Sequence, residues 1–164
     1  MAVSDFTTPD DIRSLLGVST DEIRDETILL PVNEYELAAD FDEVDEANDG
    51  LVDLYLGLNV GALAPEEDKF YRSVRLFATY AVAKQLLTSL SMFGPKEKTD
   101  GKTAVTRFFD PYKETAKRVE AGYTRNRDRL ITAFATVQLG NAPTAVLRPY
   151  FLVVSSSSDP VTGN

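Results

Sequence analysis

Five carboxylates, Asp40, Asp42, Glu43, Asp45 and Glu46, fall within one short stretch, and four arginines, Arg107, Arg118, Arg125 and Arg129, recur 11, 7 and 4 residues apart. The carboxylates are the ligand type of a hard divalent cation. Their spacing lacks the alternation of a calcium loop and the glycine that makes its sharp turn. A run of this kind is a solvated helix face, and no metal is expected on it. The arginines are the residue type that holds phosphate. At about 100° per residue the four fall within roughly one face of a helix, where they could track a phosphate backbone. The whole chain is acidic, with a net charge of −9, and no base-reading motif accompanies the stripe. Both facts favour pairing with the acids of the first half, or with a neighbouring subunit.

Other chemistry is removed by composition. The chain has no cysteine and no histidine. That excludes a disulfide framework, a thiolate metal site, a cysteine nucleophile, a histidine general base and the Ser-His-Asp triad. Gly57-Leu58-Asn59-Val60-Gly61 is not followed by the Lys-Ser/Thr pair of a phosphate loop. Ser155–Ser158 offers hydroxyls without a base to activate them. The expectation is a protein that is not an enzyme and carries no cofactor. Carboxylate-only chemistry survives as an enzymatic reading, and so does magnesium binding.

The elements that position these residues follow from length and pattern. The 164 residues make one domain, or one domain plus an arm. No apolar run approaches the ~20 residues that span a bilayer, so no membrane partner is expected. Met1–Asp10 is short and acidic, unlike a signal peptide. Charge divides the chain. Met1–Ala64 holds 16 of the 26 acids and only Arg13 and Arg24 as bases, for −14, whereas Pro65–Asn164 sums to +5.

Thr8, Pro9, Asp10 and Asp11 open a short helix whose apolar side is Ile12, Leu15 and Leu16 and which Gly17 stops. Ser19 or Thr20, with Asp21 and Glu22, signals a second start, and Pro31 breaks any continuous helix. From Asn33 the spacing of Leu37, Phe41 and Val44 is helical, and Leu51, Leu54, Tyr55 and Leu58 make another short stretch before Gly61. Pro65 with Glu66, Glu67 and Asp68 starts a long helix reaching Phe93, with Phe70, Val74, Phe77, Ala81 and Leu87 at helical spacing. Gly94-Pro95 ends it. A second long helix is expected from about Thr103 to Val137, with Val105, Phe108, Phe109, Tyr112, Ala116, Val119, Tyr123, Leu130, Ile131 and Phe134 as its apolar stripe. Asp110 and Pro111 could mark its true start, and Gly122 permits a bend or a close crossing.

The expected fold class is mostly α. It comprises acidic helices over 8–64, a long antiparallel helical hairpin over 65–138, and an extended C-terminal arm over 140–164 attached to the 1–139 helical domain. The arm carries the strand-prone run Tyr150, Phe151, Leu152, Val153 and Val154. That run either seeks a sheet edge or groove on a partner or folds back over its own helices.

Several segments carry a family resemblance. Asp11-Ile12-Arg13-Ser14-Leu15-Leu16-Gly17-Val18 opens the chain as in head–tail connector (adaptor) proteins of tailed bacteriophages. The order of acidic short helices, a long helix, Gly94-Pro95 with the loop to Gly101-Lys102, and Arg107-Phe108-Phe109-Asp110-Pro111-Tyr112 opening a second long helix resembles that family. The tail Tyr150–Gly163 is similar to the extended arms of some adaptors. The resemblance implies a structural virion protein at the neck, assembled in the host cytoplasm. It implies partners too: other copies of itself in a ring, typically of twelve subunits, the portal protein, the next neck or tail protein, and transient non-specific contact with packaged DNA. The arm Tyr150–Val154 would then anchor to the portal or a neighbouring subunit. The competing reading is a small helical nucleic-acid-binding regulator that uses the arginine stripe.

Overall fold

The structure is a computed structural model that describes residues 1–46, 50–93, 99–100, 103–104 and 109–141. A 3-10 turn at Val3–Asp5 precedes four short helices, α1 (Pro9–Leu16), α2 (Asp25–Ile28), α3 (Pro31–Val44) and α4 (Leu51–Leu56). Two long helices follow, α5 (Pro65–Phe93) and α6 (Phe109–Asn141). Between them β1 (Thr99–Asp100) and β2 (Thr103–Ala104) pair antiparallel, with Thr99 opposite Ala104. The described chain is mostly helical, as the patterning predicts. Arg107 and the arm residues Tyr150, Phe151, Leu152, Val153 and Val154 lie outside the described residues.

Local chemistry accounts for the helix ends. The Thr8 hydroxyl accepts the Asp11 N–H at 3.2 Å, Pro9 occupies the first turn, and Gly17 closes α1 in the left-handed region at φ 72°. A residue with a Cβ would be strained there. Pro31 acts differently from expectation. It begins α3 rather than merely breaking a helix, because Leu30 is already extended (φ −61°, ψ 142°) and a proline needs no N–H partner in the first turn. The buried Asn33 amide then donates to Thr27 O at 3.0 Å and Ile28 O at 2.9 Å, tying α3 to the last carbonyls of α2.

Three other boundaries are corrected. The Ser19 signal makes only a turn: Glu22 accepts from Ser19 N–H at 2.7 Å and from its hydroxyl at 3.0 Å, and the helix begins later, at Asp25. The last long helix begins at Phe109, since Thr103 and Ala104 are held in the β pairing. It also runs to Asn141, so Gly140 belongs to the helix rather than to the arm.

The core is organised by aromatic rings in series. Tyr71 stacks on Tyr55 at 5.2 Å, Tyr55 on Phe6 at 5.1 Å, and Phe6 meets Phe41 at 5.0 Å. Phe41 meets Phe77 at 5.5 Å, and Phe77 meets Tyr123 at 5.3 Å. The series joins the first residues of the chain to α3, α4, α5 and α6. Offset and tilted rings at these separations add to the free energy of burial. Along α5, Phe70, Val74, Phe77 and Ala81 are buried as their spacing predicts, while Leu87 is half-buried. Along α6, Val119, Tyr123, Leu130 and Phe134 are buried, but Ala116 is exposed and Ile131 is 39% exposed. The inward stripe is completed by Asn126 and Val137.

α5 and α6 pass each other in opposite directions: Phe70 stacks on Phe134 at 5.7 Å, and Phe77 lies against Tyr123. They pass close together at Gly122, where an added Cβ would stand 2.0 Å from Cε1 of Tyr80. The helices can meet this closely only because Gly122 has no side chain.

Candidate functional site

Three acids of the run, Asp40, Glu43 and Asp45, join helices. Asp40 turns inward and receives the Tyr123 hydroxyl at 2.8 Å on Oδ1 and the Gln85 amide at 3.4 Å on Oδ2. Lys84 Nζ lies 4.1 Å from the centre of the Tyr123 ring. Burial pushes the Asp40 carboxyl above its ordinary range, opposed by the Tyr123 hydrogen bond and the Lys84 charge. Burial, with the Asp40 carboxylate beside it, raises the Tyr123 phenol as well. Glu43 pairs with Arg127 at 3.5 Å. Asp45 Oδ2 accepts the N–H groups of Gly50 and Leu51 at 3.0 Å each, which holds the start of α4. Among the described residues no three acidic, histidine or cysteine side chains come together as a metal would require.

A pH signature follows from Asp40. Its raised folded-state pKa means that folding takes up a proton between the ordinary carboxylate value and the folded one. The stability this group contributes is therefore complete in acid and is lost as pH rises through that window. Asp40→Asn keeps an oxygen for the Tyr123 hydroxyl and removes the charge. The stability of this variant relative to wild type, read by urea unfolding, should rise between about pH 3 and about pH 7. A difference that stays flat or falls over that range would contradict the burial of a charged Asp40.

The arginine stripe divides. Arg118 Nη2 donates to Leu15 O at 3.0 Å and so fastens α1 to α6. Arg125 and Arg129, on the same face of α6 about two and three turns further along, line an open groove between α5 and α6, of about 660 Å³. The opposite wall carries Glu66, Lys69, Arg72 and Ser73. Asp128, Thr132, Ala133 and Thr136 complete the α6 wall. Among the described residues neither Arg125, Arg129 nor Lys69 has an ion-pair partner, and Arg72 is shared only with the exposed Asp68, at 2.8 Å. An exposed pair one helical turn apart contributes only a few tenths of a kcal/mol, about 0.3–0.5, so Arg72 is easily recruited elsewhere.

Helical periodicity sets this groove apart from the faces of α5 and α6 that meet most of the short helices. Tyr71, Arg75 and Thr79 of α5 meet Tyr55, Asp11 and Thr7, whereas Lys69, Arg72 and Ser73 lie roughly a third of a turn round the helix. On α6, Tyr123 and Arg127 reach α3, and Arg125 and Arg129 face the other way. The arrangement suits the reception of anionic groups over an apolar floor of arginine and lysine stems.

The sequence reading found Arg118, Arg125 and Arg129 but not their different fates. It missed Lys69 and Arg72, the α5 half of the groove, whose signal was the helical spacing of both residues. It also missed Arg127, whose partner lies 84 residues away and leaves no trace in local spacing. No helix among the described residues is long and apolar enough to cross a membrane. No family model matches the chain, and no curated protein or solved structure matches it.

Proposed function

We propose that this chain is a structural virion protein, a head–tail adaptor of a tailed bacteriophage. Its copies form a ring that joins the portal to the neck or tail and extends the DNA channel. In this reading α5 and α6 are the long antiparallel hairpin that makes the wall, and residues 142–164 act as an extended arm whose Tyr150–Val154 run anchors on the portal or a neighbour. The protein resides at the neck of the particle and assembles in the host cytoplasm.

The observation that carries the proposal is the two-sidedness of the helix pair. One side is covered by α3 of the acidic half, and the other presents Arg125 and Arg129, which have no ion-pair partner among the described residues. A subunit with different, complementary sides makes head-to-tail contacts, and such contacts generate closed rings when the rotation closes. The order of segments that resembles the adaptor family supports the same reading, and function of this kind rests on shape and contact.

The test is to mix the purified full chain with portal particles and image the product. A ring of added density at the portal vertex is expected. Deleting Pro149–Asn164 should leave the far-ultraviolet circular dichroism unchanged and abolish attachment. Unfolding of the truncated chain would show that the segment belongs to the monomer's own core, and a protein absent from mature particles would overturn the adaptor reading.

The unpaired arginines also favour a second reading, a small helical nucleic-acid-binding regulator. It requires a mobility shift of duplex DNA that weakens steeply with salt. Absence of binding at low salt removes it.

A further inference from the structure

The outer face of α3 is unusual for a surface helix. Val32 is 56% exposed and Tyr35 76% exposed, preceded by Leu29 at 38% and Leu30 at 45%. Helical spacing puts Val32, Tyr35 and Ala39 in one strip, with the exposed acids Glu36 and Asp42 on its two flanks. Among the described residues neither acid has a hydrogen-bond or ion-pair partner. The other side of the helix, with Leu37, Phe41 and Val44, is buried. α3 is therefore apolar on both sides, and among the described residues only one side is packed. A large exposed aromatic beside further exposed aliphatics marks an interaction surface.

The groove between α5 and α6 is its complement. It is cationic through Lys69, Arg72, Arg125 and Arg129. At its two ends, on the same helix faces, stand Leu76, 47% exposed, and Leu139, 78% exposed. The α6 wall of the groove, from Arg125 to Thr136, runs about 18 Å, and α3, with 14 residues, is about 21 Å long. We propose that the α5–α6 groove of one copy receives the outer face of α3 of a second copy. Tyr35 and Val32 then lie along the arginine stems and leucine ends, and Glu36 and Asp42 meet the arginines.

Two features favour this occupant over a nucleic acid. Glu66 and Asp128 stand inside the groove and repel a phosphate backbone, charged at every step, more than a helix face whose centre is apolar and whose acids stand on its flanks. The exposed leucines have no counterpart on phosphate. Because groove and α3 lie on opposite sides of the helix pair, the contact is head-to-tail and leaves a free groove and a free α3 at the ends of any open assembly. The contact specifies the subunit joint of the adaptor proposal and rests on that proposal only for closure into a ring.

The test uses the full chain in sedimentation velocity across protein concentration and salt. Wild type should associate at low salt, with the assemblies shrinking as salt rises. Arg125→Glu with Arg129→Glu should sediment as an 18.1 kDa monomer, and so should Glu36→Lys with Asp42→Lys. Mixing the two double variants should restore association, because each groove then meets an α3 of opposite charge. Tyr35→Ala should weaken association at least tenfold without any change in charge.

A wild type that stays monomeric at low salt and high concentration overturns the contact. So do double variants that associate as wild type does, or a mixture that fails to associate. Removal of residues 142–164 that alone switches association on would assign the groove to the chain's own tail and overturn it as well. If the arginine variant loses only duplex DNA binding and still self-associates, the groove belongs to nucleic acid. The adaptor reading is scored separately: double variants that still form a ring on portal particles sink the contact and leave that reading standing. Association without portal binding does the reverse.

Discussion

Phe77→Ala should lower the free energy of unfolding by about 4 kcal/mol. The ring is fully buried, 5.5 Å from Phe41 and 5.3 Å from Tyr123. It is the one ring in the aromatic series that touches α3 on one side and α6 on the other. Truncation removes its transfer free energy and leaves a cavity whose walls are the backbones of long helices, which collapse poorly. A domain of this size has a total stability on the order of 5–15 kcal/mol, so the variant sits near the edge of folding. Urea titration followed by circular dichroism should show a large drop in midpoint with an unchanged slope. Leu76→Ala, at a neighbouring exposed position, should change stability by less than about 0.5 kcal/mol. Equal effects at the two positions would contradict the described register of α5.

Gly122→Leu is the second large effect, in the opposite sense of packing. Leucine is the better helix former by about 1 kcal/mol, so an isolated helix would gain from the change. Here the new Cβ would begin 2.0 Å from Tyr80 Cε1 and 2.6 Å from Cδ1, well inside contact distance. Either Tyr80 abandons its half-buried position or the two helices separate. Overpacking of this kind outweighs the propensity gain, for a net loss of about 2–3 kcal/mol. In a Tyr80→Ala background the same leucine should cost at least about 1 kcal/mol less, since the ring it meets is gone. A leucine that stabilises the wild-type chain would show that the crossing at Gly122 is wider than described.

Much of the helical framework was legible in the residues because it depends on local rules. Thr8, Pro9 and Gly17 bound α1 by capping and φ alone, and the period of Phe70, Val74, Phe77 and Ala81 names the buried side of α5. The misreadings have physical causes. Pro31 both stops a helix and suits the start of one, and only the extended Leu30 decides between these. Ile131 matched the apolar stripe in type yet lies outside it in angle, and the polar Asn126 lies inside because its amide donates back to Gly122 O at 2.8 Å. The site was half legible. Spacing grouped Arg118, Arg125 and Arg129, but whether an arginine meets a carbonyl, as Arg118 does at Leu15, or faces an open groove is settled by a neighbour 103 residues away. Tertiary pairings such as Tyr123 with Asp40 leave no periodic signal in either helix.

The Thr7 hydroxyl lies 2.7 Å from that of Thr79, 72 residues later in the chain, and both are buried. Val3 and Phe6 are fully enclosed by elements that include α3 and α4. At a translation rate of about 5–20 residues per second, Thr79 leaves the ribosome roughly 4–14 s after Thr7. Phe6 can meet Phe41 and Tyr55 before then, but Thr7 waits for α5, and the core that also holds Tyr123, Leu130 and Phe134 closes only after α6 has been made.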